Sequence, residues 1–282
     1  MGYEKLGVKL ETKHQSSKIV ALGALYHGDN PKYFEQCLES IRLQSLQLPI
    51  TIVVDGPIGL ELEKVIIKYQ DMNIQYIRKS ENEGLASALQ TGLLALKDDY
   101  EYVLRFDADD INHVDRFKMQ CEFVNRLSPD VASAQMREVD SSGEAFSTRS
   151  VPTEPHRIQR WMPFRNPINH PACVLKIEKA LAVGGYSDMP FFEDWCLWER
   201  IMSAGGRVLN SGEYTVDFRA TDSMVARRFG LRYLKHEANF YLWRIKNRQF
   251  PRALLLMAWA IRVGTRSLGF GVYKLIFYFV RK

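Results

Sequence analysis

The pattern of apolar and polar positions over residues 18–127 predicts β-strands and α-helices in alternation. Short apolar or β-branched runs that end at turn residues predict four strands, over residues 18–28 (running on into a loop), 50–55, 74–78 and 102–106. Apolar residues three and four positions apart predict the helices between and after them, one beginning at Pro31 and others over residues 60–69, 83–97 and 114–127. This order is typical of βαβ units and predicts an α/β fold with a mostly parallel sheet and helices on both faces.

The first predicted helix has a clear beginning. Asn30 can accept hydrogen bonds from the first free backbone N–H groups, and Pro31 suits the first helical position, where a backbone N–H is not needed. The apolar face repeats at helical spacing through Phe34, Cys37, Leu38 and Ile41.

The second half of the chain has a more mixed pattern. Residues 130–140 and 172–177 are predicted strands that flank a loop, and residues 194–206 are a predicted helix closed by glycines. We find no internal repeat and no low-complexity segment.

Acidic side chains crowd the end of the fourth predicted strand, in the stretch LRFDADD at residues 104–110. Asp107, Asp109 and Asp110 follow this apolar run directly, while Asp55 and Arg78 follow earlier strands. The carboxyl ends of parallel strands share one edge of a sheet, where ligands bind. Hard carboxylate oxygens suit Mg²⁺ or Mn²⁺, and such an ion would offset the mutual repulsion of the carboxylates. The alternative is an acid-rich turn that caps the next helix.

Composition and charge add two constraints. The four cysteines are far apart and form no CxxC pair, which argues against a zinc site or a disulfide framework and favours a reducing compartment. The polar segment 1–17 has no apolar stretch of the kind found in signal peptides, so a cytoplasmic location is expected.

The charge is divided unequally along the chain. Residues 227–282 hold 13 Lys and Arg and one acid, a net charge of +12, whereas the remainder has a net charge of −7. The longest uncharged apolar run of this C-terminal region, residues 253–261, is too short for a membrane-spanning helix, which needs about 20 residues. Basic residues beside aromatic ones predict amphipathic helices at a membrane surface. Packing of these helices on the rest of the protein is the alternative, and no nucleic-acid-binding motif is present.

Six segments, taken in order, resemble glycosyltransferase family 2. They are ITIVVDG (50–56), RKSENEGLASALQTGL (78–93), LRFDADD (104–110), NHP (169–171), AVGGY (182–186) and FFEDWCLWER (191–200). The resemblance implies the GT-A fold, with a nucleotide-sugar half at residues 18–128, an acceptor half at 129–226 and a helical C-terminal region at 227–282.

The resemblance also implies roles on the donor side. Asp55 would contact the base or ribose, although the family more often has two consecutive acids where this chain has Asp55-Gly56. Asp109 would bind the metal directly, and Asp107 would reach the metal or the ribose. Asp110 would support them or cap the next helix. Further donor contacts are expected from Arg78 with Lys79, from the N-x-G-L residues Asn82, Gly84 and Leu85, and from Arg227 and Arg228 over the diphosphate.

On the acceptor side, Asp194 of the Glu193-Asp194 pair would be the general base, with capping of a helix as the alternative. His170, Glu193 and Trp195 would lie near the acceptor, while Trp195 or Trp198 could instead belong to the core. The expected reaction is inverting transfer of a sugar, with UDP the favoured nucleotide, to a lipid-linked saccharide at the inner membrane surface.

Two other classes of protein fit parts of the sequence. A haloacid-dehalogenase-like phosphatase also has D-x-D after an apolar strand, but its motif usually opens the domain and is followed by Thr. Here three βα elements precede the motif, and Ile111 and Asn112 follow it. A non-catalytic nucleotide-sugar or membrane-binding protein is the second alternative.

Overall fold

The computed structural model describes residues 18–281, so the predicted polar segment 1–17 lies outside the described residues. The strands in this part of the chain are β1 (Ile19–Leu25), β2 (Ile50–Val54), β3 (Gln75–Arg78), β4 (Tyr102–Asp107), β5 (Ile111–Asn112), β6 (Val131–Val139), β7 (Ala145–Arg149), β8 (Val174–Lys176) and β9 (Val208–Arg219). The α-helices are α1 (Pro31–Arg42), α2 (Leu60–Lys68), α3 (Leu85–Leu96), α4 (Arg116–Leu127), α5 (Pro155–Trp161), α6 (Ile177–Ala182), α7 (Glu193–Ser203), α8 (Asp222–Arg227), α9 (Leu231–Asn247), α10 (Arg252–Ser267) and α11 (Phe270–Arg281).

One twisted sheet contains all nine of these strands. Its order is β3-β2-β1-β4-β8-β6-β9-β5, and β7 pairs with β6. The first four strands are parallel, as the alternating pattern predicts. Beyond β4 the sheet is mixed, because β8 runs antiparallel to both of its neighbours while β6 and β9 are parallel. The sheet as a whole is therefore mixed but mostly parallel, as predicted.

The pattern missed β5, β7 and β9. The polar run Asn210-Ser211-Gly212-Glu213 in β9 is not typical of a strand, so the hydrophobic pattern did not predict one. The pairing of β9 with β6 shifts register next to this run. Pairing with a distant partner therefore keeps the chain extended where local propensity favours a turn.

The predicted start of α1 is confirmed. The Asn30 side-chain oxygen accepts hydrogen bonds from the backbone N–H groups of Lys32 (2.9 Å) and Tyr33 (3.3 Å), and Pro31 is the first helical residue. The predicted apolar face is buried.

Two hydrophobic layers enclose the sheet. One contains Leu104 of β4 with buried residues of α1, α2 and α4. The other contains Val103 of the same strand with residues of α3, α6, α7, α9 and α10. Successive side chains of a strand point to opposite faces, so β4 carries both layers.

Buried ion pairs join α9 to α7 and to α10. Arg244 of α9 pairs with Glu199 of α7, and neither side chain is exposed to solvent. Glu237 of α9, also fully buried, pairs with Arg262 (2.6 Å) and Arg266 (2.8 Å) of α10. The alternative of packing on the rest of the protein is therefore correct for α9 and α10.

Replacement of Glu237 by glutamine is expected to destabilise the protein by about 3–5 kcal/mol, because two guanidinium groups at a buried site lose their carboxylate. Equilibrium unfolding in urea measures this change. The control is Glu101→Gln, which removes an exposed partner of Lys176 and should cost about 1 kcal/mol or less. Equal effects of the two substitutions would show that the Glu237 cluster does not hold the helices.

Candidate active site

Asp55 connects the end of β2 to the beginning of α3. Its buried carboxylate accepts hydrogen bonds from the backbone N–H groups of Glu83 (3.1 Å) and Gly84 (2.7 Å) and from Lys79 Nζ (2.8 Å). The neighbouring Gly56 has a φ of +84°, and a Cβ atom there would lie 2.5 Å from the Asn82 backbone nitrogen. A second acid in place of Gly56 would therefore push this loop away.

The N-x-G-L segment lies beside Asp55. Gly84 precedes α3 with a φ of +90°, a conformation that glycine adopts without strain. Asn82 is exposed, and Leu85, the first residue of α3, is 38% exposed. These residues stay candidates for nucleotide contact.

Arg78 is directed elsewhere. Its guanidinium forms two hydrogen bonds to the Glu63 carboxylate of α2, at 2.7 and 2.9 Å. Its position at the end of β3 matches the prediction, but the direction of its side chain does not support a donor contact.

Asp107, Asp109 and Asp110 come together at the end of β4. One carboxylate oxygen from each lies within 4.8 Å of the other two. Asp110 is buried, and its Oδ1 accepts a hydrogen bond from the Arg219 backbone N–H (2.9 Å). Its Oδ2 is buried and has no hydrogen-bond partner among the described residues. This set of hard oxygen donors, one of them lacking a partner, fits a divalent cation such as Mg²⁺ or Mn²⁺.

Crowding and burial change the acidity of this cluster. Burial, with a contribution from the Asp107 charge, raises the pKa of Asp109 to about 6. Burial and the neighbouring charges of Asp109 and Asp107 raise the pKa of Asp110 well above its usual value. A cation at this site would favour the charged carboxylates instead.

Arg219 at the end of β9 holds the backbone of the cluster. Its Nε donates to the Asp109 carbonyl oxygen (2.8 Å), and its guanidinium lies over the Tyr33 ring at 4.2 Å. Arg219 was not predicted as a site residue, because the strand β9 that carries it was not predicted from the sequence.

Arg105 is a second site residue that the sequence analysis missed. It is 3% exposed, and its Nη2 pairs with the Asp107 carboxylate. Its Nε and Nη1 are buried and have no hydrogen-bond partner among residues 18–281. Burial acts to lower the pKa of Arg105, but the Asp107 charge outweighs this and raises it. The signal in the sequence was an arginine inside an apolar strand, two positions before the first aspartate.

Glu193 and Asp194 open α7. Asp194 accepts hydrogen bonds from Asn166 Nδ2 (2.7 Å) and from the Trp195 backbone N–H (2.7 Å). The N-cap of α7 is Phe192, which makes no side-chain capping hydrogen bond. Asp194 lies in the first turn and accepts a hydrogen bond from one of the free N–H groups there, so stabilisation by the helix N-terminus stays an alternative role for its carboxylate. Burial raises the pKa of Asp194, and burial together with the Asp194 charge raises the pKa of Glu193 to about 7.

His170 lies next to this pair. Its Nδ1 is 4.0 Å from Asp194 Oδ2, and its Nε2 is 2.8 Å from the Tyr186 hydroxyl. Burial, with the nearby Arg105 and Arg149 charges, lowers the pKa of His170 well below its usual value. Burial therefore favours the neutral imidazole.

Trp195 and Trp198 belong to the core. Trp195 is 4% exposed, its ring packs on Phe240 of α9, and its Nε1 donates to the Met162 carbonyl oxygen (3.1 Å). Trp198 is fully buried. The position of Trp195 does not support the prediction that it lines the acceptor site.

Arg227 is the last residue of α8, and Arg228 is its C-cap. Burial raises the pKa of Asp29 to about 7, and the charge of Arg227 acts against that shift. The charge of Arg228 likewise acts to lower the pKa of Glu193. The two arginines stay candidates for donor contact.

The charge of Arg105 acts on both acidic groups. In each of Asp109, Asp110, Glu193 and Asp194, burial raises the carboxyl pKa and the Arg105 charge opposes that shift. The D-x-D cluster, which Arg105 contacts through Asp107, and the Glu193-Asp194 pair therefore both interact electrostatically with the same buried arginine.

This fold has solved relatives that hold nucleotide sugars. The chain superposes on TarS 1–349 of S. aureus in complex with UDP-GlcNAc with a TM-score of 0.65 and 15% identity, covering 88% of this chain and 72% of that one. It superposes on the mannosyltransferase PcManGT of Pyrobaculum calidifontis, in complex with GDP-Man and Mn²⁺, with a TM-score of 0.63 and 15% identity, covering 86% and 69%. At such identity the likeness shows the GT-A fold.

Sequence comparison then defines the family. Residues 25–183 match the family described as "Glycosyl transferase family 2". The chain is 30% identical to the amylovoran biosynthesis glycosyltransferase AmsE of Erwinia amylovora, covering 90% of this chain and 96% of that protein. It is also 30% identical to the UDP-Gal:alpha-D-GlcNAc-diphosphoundecaprenol beta-1,3-galactosyltransferase of Escherichia coli, covering 79% and 83%. The chain belongs to glycosyl transferase family 2, and this membership removes the phosphatase alternative.

Substitution of Arg105 by methionine should destabilise the metal-free protein by about 3–5 kcal/mol, because the buried carboxylates lose their cation. The gain in thermal stability on adding Mn²⁺ should become larger than in the wild type, since the ion then replaces the missing charge. Thermal unfolding with and without Mn²⁺ measures both effects. Arg105→Lys, which keeps the charge, is the control. A methionine variant with wild-type stability would show that Arg105 does not neutralise the buried carboxylates.

Proposed function

We propose that this protein transfers a sugar from a UDP-sugar to a hydroxyl group of a lipid-linked saccharide, with inversion at the anomeric carbon. The observation that supports this proposal is that one buried arginine, Arg105, pairs with Asp107 of the carboxylate cluster and that its charge also acts on the buried carboxylate of Asp194. Two relatives named for amylovoran biosynthesis and for transfer to a diphosphoundecaprenol-linked sugar support synthesis of bacterial surface polysaccharide.

Donor binding would use the edge of the sheet formed by β2 and β4. Asp109 and Asp107 would hold Mn²⁺ or Mg²⁺, with Asp110 completing the oxygen set. When bound, the ion would neutralise charge on the diphosphate. The loop that Asp55 ties to Gly84 would bring Asn82, Gly84 and Leu85 to the nucleoside, while Arg227 and Arg228 supply positive charge from the other side.

The acceptor would be activated by Asp194. Its carboxylate takes the proton of the acceptor hydroxyl while that oxygen forms a bond to the anomeric carbon. The bond between this carbon and the phosphate oxygen breaks, and the nucleoside diphosphate leaves with the electron pair. Asn166 orients the carboxylate through its 2.7 Å hydrogen bond, and His170 and Glu193 border the acceptor. A single displacement of this kind inverts an α-linked donor to a β-product.

The proposed acceptor also sets the location of the enzyme. A saccharide on a lipid carrier is held at a bilayer surface, and nucleotide sugars are made in the cytoplasm. We therefore place the protein in the cytoplasm, as a peripheral protein of the inner membrane leaflet.

Metal-dependent donor binding should be lost in Asp109→Asn. The amide is a weaker ligand than the carboxylate, so the Mn²⁺-dependent affinity for a UDP-sugar should fall about tenfold or more. Isothermal calorimetry over a panel of UDP- and GDP-sugars, with and without Mn²⁺, measures the effect. Asp71→Asn, an exposed aspartate paired with Arg42, is the matched control. Unchanged metal dependence in Asp109→Asn would contradict the ligand assignment.

Loss of the base should separate binding from turnover. Asp194→Asn is expected to bind donor as the wild type does, while kcat falls by about 10²–10⁴-fold. Because burial raises the pKa of Asp194, wild-type kcat/KM should decline, as the pH is lowered, at a pH above the usual Asp value. Steady-state kinetics across pH provides both readouts. The exposed neighbour Asp188 supplies the control Asp188→Asn; an active Asp194→Asn enzyme would refute the base role.

A further inference from the structure

Helix α10 directs two of its three arginines inward, while several of its large apolar residues lie on the outside. Arg262 and Arg266 point inward to Glu237, which is fully buried. Apart from Arg252 at its first position, the exposed positions of α10 and its C-cap carry no charge: Ala253, Leu256, Met257, Ala260, Ile261, Gly264, Ser267 and Leu268. A helix at the surface of a soluble protein ordinarily has the opposite arrangement.

The exposed apolar residues are large, and they continue into α11. Leu256, Met257, Ile261 and Leu268 are each about half exposed, between 49% and 59%. In α11, Val272 is 44%, Leu275 73% and Phe279 79% exposed, at positions i, i+3 and i+7 of one helical stripe. We call these seven side chains of α10, its C-cap and α11 the outer apolar face.

The exposed charge of the C-terminal region has one sign. The only acid between residues 227 and 281 is Glu237, and it is buried between two arginines. The exposed charged side chains that the structure describes in this region are all basic: Arg227, Arg232, Lys235, Lys246, Arg248 and Arg252. An outer apolar face in such a basic setting matches an anionic bilayer surface, which attracts Lys and Arg and accepts apolar side chains below its headgroups.

The outer apolar face is coupled to the active site by packing. Arg266 Nε donates to the Arg228 carbonyl oxygen (3.2 Å), next to the arginine pair at the donor site. Phe240 of α9 stacks on Phe192, the residue before Glu193, with ring centroids 4.4 Å apart. Because α9 and α10 share this core, the outer apolar face keeps a set position relative to Asp194.

We propose that the outer apolar face is a docking surface for an anionic phospholipid bilayer, lying in the plane of the interface. The choice of a lipid-linked acceptor in the proposed function motivates this inference. Among the described helices none has both the length and the apolar character needed to cross a bilayer. A second copy of this chain is the less favoured occupant, because a two-fold contact would bring the two basic regions together.

Vesicle flotation of the full-length protein with Ile261→Glu tests the docking surface. Wild type should float with phosphatidylethanolamine vesicles that contain phosphatidylglycerol, and much less with phosphatidylcholine vesicles or at high salt. Ile261→Glu should lower the partition coefficient about tenfold or more, because a charge replaces an apolar side chain at the interface. The matched control is Ile67→Glu on α2, where the same residue type is 61% exposed compared with 55% for Ile261; it should float as the wild type does.

The other outcomes each decide the proposal. Equal flotation of the two glutamate variants, or no flotation of the wild type, would overturn it. Light scattering without vesicles that shows a wild-type dimer and an Ile261→Glu monomer, with no flotation of either, would assign the face to a second copy. Donor binding measured by calorimetry without vesicles should be the same in all three proteins. A protein that floats but binds no nucleotide sugar would refute the proposed function and leave the docking surface standing.

Discussion

The site depends on keeping several carboxylates close together at a partly buried edge of the sheet. Asp107, Asp109 and Asp110 repel one another, and the Glu193-Asp194 pair adds further negative charge on α7. The Arg105 guanidinium, buried in β4, opposes this charge from within the protein. Two nitrogen atoms of Arg105 have no hydrogen-bond partner among the described residues, and neither has Asp110 Oδ2. A cluster that is only partly neutralised in this way is suited to a divalent cation and an anionic diphosphate.

Buried charges are also paired with one another in the C-terminal region. Its arginines do not form a detached basic tail, because several of them turn inward. Arg244 reaches Glu199 of α7, and Arg262 and Arg266 reach Glu237 of α9. Directing these arginines inward leaves the outer surface of α10 to leucine, methionine and isoleucine. The packing that secures the helices on the catalytic part thus also creates the apolar surface that we assign to lipid.

In the proposed function, the donor and acceptor contacts come from different parts of the fold. The parallel half of the sheet carries Asp55 and the aspartate cluster at the ends of its strands, which we assign to the donor, and α7 carries Asp194, which we assign to the acceptor. Gly56 illustrates how closely the donor loop is packed, since a Cβ atom there would collide with the Asn82 backbone. The departure from two consecutive acids therefore has a steric explanation within this chain.

Features that depend on neighbours in sequence were determined by the sequence alone. These include the order of the first seven elements, β1 to β4 with the helices between them, the Asn30 cap of α1, and the placement of the aspartates at the end of β4. Hydrophobic periodicity and capping act over a few residues, so a linear pattern records them. Features that depend on distant partners were decided by the tertiary structure: β9 is a strand because β6 pairs with it, Arg78 turns to Glu63, and Trp195 is buried under α9. The same holds for the site role of Arg105 and for the outward apolar side of α10. The direction of a side chain is set by the partners that attract or cover it and not by its neighbours along the chain.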